Sequence, residues 1–260
     1  MFLNLLKLFL LSILKPSLKR GGNKPFREFL KLPIIFDVTT YLIQLRYLNR
    51  IKNLGTVNKP SKYIKDVIKY NSSVTVGKLI TRSRRAELFY QIPSPILGDL
   101  SNKKLLIIGP RNVHELYIAW LYGFSWDNIK AIDLYSGHPK IISMNMHDLK
   151  FDDESFDCLV MAHTLSYAED TARVIKEVGR VLKPSGIFSF GCTFEPEDDR
   201  WIGSLMNGKK IYNCLKEANM KILFHFPEEK KNALGHNQTN NIFNAQKNDP
   251  NLKFTDNFSL

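Results

Sequence analysis

The chain has 260 residues, of which 44% are hydrophobic, so it is long enough to bury one sizeable core with an appendage. Its net charge of +12 is uneven: residues 1–104 hold 20 Lys and Arg against 5 Asp and Glu (+15), and residues 105–260 hold 17 against 20 (−3). The three cysteines are widely spaced and form no CxxC pair, which indicates reduced thiols in a cytoplasmic protein and excludes a disulfide framework or a zinc site.

Residues 1–30 combine an apolar run, a basic segment and a predicted linker. Eleven of the first fourteen residues are apolar, but this run is too short to span a bilayer and no cleavage pattern follows it. Four basic residues come next, which is typical of a helix that lies on an anionic membrane surface. An apolar helix packed on the domain or on a second subunit explains the same pattern. Two glycines and a proline predict a linker over residues 21–30.

The next stretch is predicted to be a basic helical extension over residues 31–98. Apolar residues recur at helical spacing through residues 34–90, and Lys and Arg fill the predicted outer faces. Such a surface suits RNA, phosphate groups or acidic lipid heads. The sequence has no RNP segment, zinc-finger spacing or glycine–arginine tract, so we do not expect direct nucleic-acid binding. Two prolines predict a linker over residues 92–98, before a domain over residues 99–260.

That domain is predicted to begin with a strand, a turn and a helix. Four consecutive apolar residues, Leu105–Ile108, stop at Gly109 and Pro110, as a strand buried on both faces does at the edge of a parallel sheet. Apolar residues at helical spacing follow at once. Asn112 is the predicted cap of this helix, and Gly123 is its predicted end.

The second strand is predicted over residues 130–134 and carries an acid. Asp133 lies 24 residues after Gly109, with Leu134 directly behind it. In nucleotide-binding α/β units a carboxylate near this spacing receives the ribose hydroxyls, while the helix N-terminus faces an anion. Further strands are predicted over residues 141–144, 156–162 and 187–192, with a helix capped by Asp170 before the last. This alternation predicts an α/β fold with a Rossmann-like, doubly wound sheet.

Three segments of the domain carry a family resemblance. They are MNMHDLKFDDESFDCLV at residues 144–160, HTLSYAED at residues 163–170 and EVGRVLKPSGIFSF at residues 177–190. This block resembles the class I S-adenosylmethionine-dependent methyltransferases, in particular the small-molecule group with a DLPF-x-x-x-SFD segment. The resemblance covers residues 105–192. It implies a mostly parallel sheet, then a helix over residues 201–218 and a closing antiparallel pair over residues 221–226 and 241–246.

The first motif departs from the family pattern. The family carries an acid and then G-x-G-x-G, whereas this chain has Ile107 at the acid's position and retains only Gly109 of the three glycines. Glycines in this turn let the backbone approach the ligand without a Cβ in the way. Arg111 is expected to pair with the methionyl carboxylate of the cofactor, since a guanidinium makes two parallel hydrogen bonds to a carboxylate. Alternatively, Arg111 points to solvent or closes the site.

The resemblance implies a site for S-adenosylmethionine at one edge of the sheet and no metal site. Gly109 would give the close backbone approach and Asp133 would receive the ribose hydroxyls. Asn145 would accept from the adenine amino group, and Met146 would pack on the ring or belong to the core. The implied cofactor-binding residues are Gly109, Pro110, Arg111, Asn112, Asp133, Leu134, Asn145, Met146 and His163.

The expected chemistry follows from the cofactor. A sulfonium methyl is already electrophilic, so the protein chiefly has to bring a nucleophile in line behind it and exclude water. A hydroxyl acceptor gains from a general base, for which His163 and His138 are the candidates, although a lone histidine is more often structural. The acidic loop at residues 195–199 suits a cationic substrate, a metal or plain solvation.

We therefore expect methyl transfer to a small-molecule or saccharide-type acceptor, in a cytoplasmic protein whose residues 1–20 touch an anionic membrane. One alternative is a noncatalytic Rossmann-like binding protein in which Arg111 closes the methyl-donor pocket. Another is an RNA methyltransferase that uses the basic front region, but the NPPY-like and cysteine-nucleophile signatures of such enzymes are missing.

Overall fold

Helices dominate the N-terminal region of the chain, and most of the strands follow from residue 105 onward. A computed structural model describes residues 24–48, 55–56, 62, 65–66, 68–69, 84–110, 112–136, 138–194, 207–231 and 237–250. The described helices are α1 (Lys24–Leu30), α2 (Pro33–Leu48), α3 (Arg84–Gln91), α4 (Pro93–Leu97), α5 (Val113–Leu121), α6 (Thr171–Val181) and α7 (Gly208–Glu217). The described strands are β1 (Gly55–Thr56), β2 (Leu105–Ile108), β3 (Ile129–Asp133), β4 (Tyr135–Ser136), β5 (Ile141–Ser143), β6 (Phe156–Met161), β7 (Leu182–Phe194), β8 (Met220–Lys231) and β9 (Asn237–Lys247).

Seven of the described strands form one mixed sheet in the order β5-β3-β2-β6-β7-β9-β8. The first five in this order are parallel, and β9 runs antiparallel to both β7 and β8. The prediction of a Rossmann-like, mostly parallel sheet closed by an antiparallel C-terminal strand is confirmed. The carboxyl ends of β5, β3, β2 and β6 meet at one edge of the sheet, called here the carboxyl edge.

A hydrophobic cluster covers each face of the sheet. On one face, Leu159 of β6 and Phe188 of β7 pack with apolar residues of α6 and α7. On the other face, Leu105 of β2 packs with α5 and with a second layer of helices from the N-terminal region. These outer helices contribute Leu30, Phe36, Phe89 and Tyr90 to the same cluster. Helices α1, α2 and α3 each contribute buried residues to this core, although the predicted domain boundaries remain predictions.

The predictions of two linkers are wrong in part, because each of the two segments contains a helix. Lys24–Leu30 lies within the predicted linker 21–30, and Pro93–Leu97 lies within the predicted linker 92–98. In both helices a proline occupies the first turn, where its missing N–H costs no helical hydrogen bond. The stretch predicted as helical over residues 34–90 also contains the short strand Gly55–Thr56, whose backbone pairs with β4.

Three predictions fall on residues outside the described part of the chain. They concern the membrane contact of residues 1–20, the side chain of Arg111 and the acidic loop 195–199. The helix predicted over residues 201–218 is described from residue 207, and there it spans Gly208–Glu217. The closing strands are confirmed and are longer than predicted.

Helix α2 lies on α5 through polar contacts that are themselves buried. The Thr39 hydroxyl lies 3.1 Å from the hydroxyl of Tyr117, and the Thr40 hydroxyl lies 3.2 Å from Nε2 of His114. The His114 ring also meets the edge of Phe36. Burial lowers the pKa of His114 to about 4, so this ring is neutral at physiological pH.

The loop between β5 and β6 is tied to α6 by one arginine. The guanidinium of Arg180 donates to the carbonyls of Leu149 and Phe151, both at 2.8 Å, and to Asp153 at 2.7 Å. It also makes two bonds of 2.9 Å to Glu177, whose carboxylate accepts from the N–H of Leu149. These bonds to Arg180 hold the pKa of Glu177 below its usual value. Arg180 thus fixes the loop that follows Asn145 and Met146.

Acid should destabilise the protein through His114. Unfolded histidine has a pKa near 6.5, whereas folded His114 stays neutral down to about pH 4, so the unfolded state binds the extra proton in this window. Stability is therefore full above pH 6.5 and falls as the pH drops towards 4. We expect urea unfolding between pH 6.5 and 4 to show that the free energy of unfolding of wild type falls by about 3 kcal/mol more than that of the His114→Gln variant. The contribution of His147 is the same in both proteins and cancels in the difference. If stability fell equally with pH in wild type and His114→Gln, His114 would not be the residue responsible.

Removing the Arg180 guanidinium should loosen the β5–β6 loop. The Arg180→Met variant leaves two loop carbonyls and the Glu177 carboxylate without their donor, so we expect a loss of about 2–3 kcal/mol in the free energy of unfolding. Lys176→Met, an exposed change on the same helix, is the matched control and should stay within about 0.5 kcal/mol of wild type. Equal stability of the two variants in urea unfolding would show that the network carries no net stability.

Candidate active site

The carboxyl edge of the sheet brings four of the predicted site residues into one row. Asn145 follows β5, Asp133 ends β3, Gly109 follows β2 and His163 follows β6. The strand order β5-β3-β2-β6 puts these four positions side by side. This is the edge at which open α/β sheets bind their ligands.

Gly109 is held in a conformation that requires glycine. Its φ is +71°, and a Cβ at this position would overlap the side chain of Thr164. The Thr164 hydroxyl donates to the Gly109 carbonyl at 3.2 Å, and the Gly109 N–H donates to the carbonyl of Ile132 at 2.8 Å. The turn after β2, with buried Pro110, is therefore packed against the loop after β6.

The N-terminus of α5 starts from this turn. Asn112 is the cap, as predicted, and its side-chain oxygen accepts from the N–H of His114 at 2.8 Å. Glu115 in the first turn accepts from the hydroxyl of Tyr90 in α3 at 3.4 Å. Burial, and next the charge of Glu115, raise the pKa of Tyr90 well above its usual value. The start of α5 is thus linked to both the turn and the outer helices.

Asp133 closes β3 at the centre of the row. One carboxylate oxygen accepts from the N–H of Leu134 at 2.7 Å, and the backbone carbonyl of Asp133 accepts from the N–H of Met144 at 2.9 Å. The carboxylate is half-buried. Directly after it, Tyr135–Ser136 pairs with Gly55–Thr56, so the N-terminal region reaches the end of the strand that carries the acid.

Asn145 belongs to a hydrogen-bonded chain that anchors the loop after β5. Its side-chain oxygen accepts from the N–H of His147 at 3.0 Å and lies 2.7 Å from His147 Nδ1. Nε2 of His147 accepts from the N–H of Asp170 at 3.1 Å, which assigns the ring proton to Nδ1. Burial lowers the pKa of His147. The oxygen expected to meet adenine is therefore already engaged, and Met146 lies almost fully buried in the core.

His163 lies between a helix of the N-terminal region and the strand β7. Its ring meets Phe89 of α3 edge to face, with the ring centroids 5.8 Å apart. A Cβ on Gly191 would come within 2.7 Å of the Phe89 ring and 3.0 Å of His163 Nε2, so this glycine makes room for both rings. The backbone of His163 has φ +62°, which is uncommon outside glycine and asparagine.

The other histidine candidate lies elsewhere. His138 accepts from the N–H of Lys140 at 3.2 Å, and the Lys140 ammonium donates to the carbonyls of Ile129, at 3.0 Å, and Trp126. Ile129 is the first residue of β3, so this turn lies at the amino end of the strand, across the sheet from Asp133. The structure brings His163, and not His138, to the carboxyl edge.

Asp157 and the three cysteines have structural roles and do not belong to the row of site residues. Asp157 accepts from the Lys183 ammonium at 3.0 Å through both oxygens and from the N–H of Lys104 at 2.8 Å, so this carboxylate has a structural role. The cysteines are free and buried, and burial raises the pKa of all three: Cys158, Cys192 and Cys214. No thiolate nucleophile is therefore expected at neutral pH.

Sequence reasoning missed three residues of this edge: Phe89, Thr164 and Gly191. Phe89 lies in a helix of the basic extension, and nothing in its local pattern links it to β6. Thr164 lies inside a segment that was assigned to the family only as a block. A signal for Gly191 did exist, because a glycine inside a buried strand indicates close approach by another group.

Residues 125–190 match the family model of a methyltransferase domain. No curated protein matches the sequence. Among solved structures, the chain is similar to a 1,6-didemethyltoxoflavin-N1-methyltransferase from Burkholderia thailandensis with bound 1,6-didemethyltoxoflavin and S-adenosylhomocysteine. The two are 12% identical, with 75% of this chain and 95% of that chain covered and a TM-score of 0.50.

Two other solved structures are similar to the chain. One is a proposed sarcosine dimethylglycine methyltransferase from Galdieria sulphuraria, with 14% identity, coverage of 64% of this chain and 85% of that chain, and a TM-score of 0.51. The other is an S-adenosylmethionine-dependent methyltransferase from Methanosarcina mazei, with 21% identity, coverage of 59% and 97%, and a TM-score of 0.45. At these identities the likeness is one of fold. Residues 125–190 thus match a methyltransferase domain, and the chain has the fold of the class I S-adenosylmethionine-dependent methyltransferases.

Proposed function

We propose that this protein transfers the methyl group of S-adenosylmethionine to a small-molecule or saccharide-type acceptor by in-line displacement. The observation that carries the proposal is the row of Asn145, Asp133, Gly109 and His163 along the carboxyl edge. An amide, a carboxylate, a close backbone approach and an imidazole follow one another along this row, an order that would suit the adenine, the ribose and the charged tail of the cofactor.

The residues of the row fit this cofactor. Gly109 leaves no Cβ in the turn, and the N-terminus of α5 favours a negatively charged group. Asp133 would receive the two ribose hydroxyls. Because the Asn145 oxygen is engaged by His147, Asn145 would contact adenine through its side-chain N–H donors. Met146 is almost fully buried, so only a small part of its side chain would contact the ring. When bound, the cofactor supplies an electrophilic sulfonium methyl group.

His163 is the proposed general base for a hydroxyl acceptor. It lies on the β6 side of Gly109, where the sulfonium end of the cofactor would come after its ribose is fixed on the β3 side. Phe89 covers one side of the imidazole and excludes water from it. A positioned acceptor hydroxyl would give its proton to His163 as the oxygen attacks the methyl group.

The alternative is a noncatalytic binding protein with a closed methyl-donor pocket. It is favoured by the contact of Thr164 with Gly109, which narrows the space between the turn after β2 and the loop after β6. The two proposals differ in whether the purified protein binds S-adenosylmethionine. No heat in calorimetry and no change of melting temperature at millimolar ligand would favour the alternative.

We also propose that residues 1–20 contact an anionic membrane surface. The support is the apolar run followed by basic residues, within a front region of net charge +15. Within the described residues, no helix combines the length and apolarity that a membrane crossing requires. We propose a peripheral contact because the apolar run in the first fourteen residues is too short to span a bilayer.

The Asp133→Asn variant should bind S-adenosylmethionine about tenfold more weakly than wild type. The amide keeps the acceptor for the Leu134 N–H but loses the charge that strengthens the bonds to the ribose hydroxyls. Isothermal calorimetry measures the affinities. Asp127→Asn, an exposed change before the opposite end of the same strand, is the matched control and should bind as wild type does. Equal affinities of both variants and wild type would remove Asp133 from the cofactor site.

The His163→Asn variant should lose at least about 100-fold in kcat and keep its affinity for S-adenosylmethionine. Asparagine tolerates the positive φ at this position, so the fold should be preserved. Methyl transfer is followed by mass spectrometry with an acceptor found in a metabolite screen. His138→Asn tests the other histidine, and a loss of rate there with none at His163 would reverse the assignment. With an amine acceptor, the pH profile of His163→Asn should match that of wild type.

A further inference from the structure

Helix α2 is apolar on two opposite sides. Phe36 faces inward with the buried hydroxyls of Thr39 and Thr40, which bond to α5. On the other side, Ile34, Val38 and Tyr41 are exposed at positions i, i+4 and i+7, so they form one stripe. The exposed fraction of Ile34 is 77%.

The stripe continues onto the preceding helix and turn. Phe29 of α1 is 50% exposed and Leu32 in the turn is 51% exposed. We call the five side chains together the outer apolar face: Phe29, Leu32, Ile34, Val38 and Tyr41. Lys and Arg are predicted on the outer faces of this region, but along the side of α2 formed by Ile34, Val38 and Tyr41 the exposed side chains are apolar, so the prediction is wrong there. Large apolar side chains that are exposed side by side in this way indicate a binding surface.

We propose that the outer apolar face lies on the surface of an anionic membrane. The charge of the front region supports this partner, because residues 1–104 carry a surplus of 15 positive charges. Glu28, beside the face, is paired with Lys31 at 2.7 Å, and the exposed Asp37 is outweighed by that surplus. Exposed apolar side chains within a basic region of the chain are the combination that binds an interface of anionic lipid.

The chain itself links this face to the proposed membrane contact at its front. Nine positions separate residue 20 from Phe29, a span of at most about 30 Å when fully extended. A front segment bound to lipid would keep the outer apolar face close to the same surface and raise its effective concentration there. The inference extends the membrane contact proposed for residues 1–20, and it is independent of the proposal for methyl transfer.

The face also has a fixed relation to the carboxyl edge. Thr40, next to Tyr41, contacts His114 in the first turn of α5, and that turn begins beside Gly109. One end of the outer apolar face is therefore directed to the side of the fold where the row of site residues lies. A protein seated in this way would present its site alongside the bilayer, which suits an acceptor carried at the lipid surface.

Flotation with vesicles tests the proposal. Full-length wild type and the Ile34→Ser/Val38→Ser variant are mixed with vesicles of phosphatidylcholine and phosphatidylglycerol, and with vesicles of phosphatidylcholine alone. We expect the variant to partition about tenfold less than wild type into the mixed vesicles, because two exposed apolar side chains no longer enter the interface. Both proteins should bind phosphatidylcholine alone weakly.

The matched control is Phe224→Ser/Phe226→Ser. These two side chains are also large, apolar and exposed, but they lie on β8 at the far end of the sheet. The control should partition as wild type does, and all three proteins should melt at similar temperatures because the substituted residues are exposed. An equal loss in the control would show that any exposed apolar pair has this effect and would overturn the assignment.

Two other occupants of the face give different results. If residues 1–20 cover it, the Ile34→Ser/Val38→Ser variant melts at a lower temperature and its vesicle partition is unchanged. If a second copy of the chain covers it, the variant changes its mass in light scattering without a change in partition. Either result overturns the proposal. A protein that lacks residues 1–20 tests the front contact separately, and S-adenosylmethionine affinity in all variants reports on the proposed function.

Discussion

The structure depends on the burial of α5, a helix with apolar residues on all of its sides. Of its nine residues, only His114 and Glu115 are polar, and Trp120 and Tyr117 are fully enclosed. The sheet covers one side of such a helix and leaves the others to be covered by something else. The N-terminal helices α1, α2 and α3 provide that cover. On this side the fold therefore has three layers, which are the sheet, α5 and the outer helices, whereas an amphipathic helix on a sheet would need only two.

This requirement connects the core to the site. Helix α3 is placed by its contacts with α5, in which Tyr90 donates to Glu115 and the Tyr122 hydroxyl donates to Glu87. The same placement brings Phe89 onto His163 and Gly191 at the carboxyl edge. A segment whose first role is to bury α5 therefore also forms a wall of the candidate active site. The outer apolar face of α2 has the same origin, since α2 uses its two threonines on α5 and directs its apolar stripe outward.

The central sheet and the row along its edge were predictable because each rests on local patterns. Buried strands appear as apolar runs, Asn112 and Asp170 mark helix starts, and Asp133 follows from its position at the end of β3. The outer layer was not predictable in this way. Apolar spacing in residues 34–90 indicates helices but does not say which side of a helix meets α5, and the two-residue strand Gly55–Thr56 is too short to carry a pattern. Contacts across more than 70 residues, such as that of Phe89 with His163, leave no local trace.

The departure of the first motif from the family pattern has a physical explanation at the described positions. Gly109 is retained where φ is positive and where a Cβ would overlap Thr164, so this glycine has no substitute. At the third glycine position the chain has Val113, the first residue of α5, whose side chain is buried in the cluster shared with the outer helices. In dinucleotide-binding units, the third glycine of the turn permits close packing of helix on strand. Here the outer layer of helices adds apolar surface around α5, and a valine at the start of α5 contributes to that core. The motif therefore has Val113 where an apolar side chain adds to the buried cluster, and it has Gly109 where the backbone conformation requires glycine.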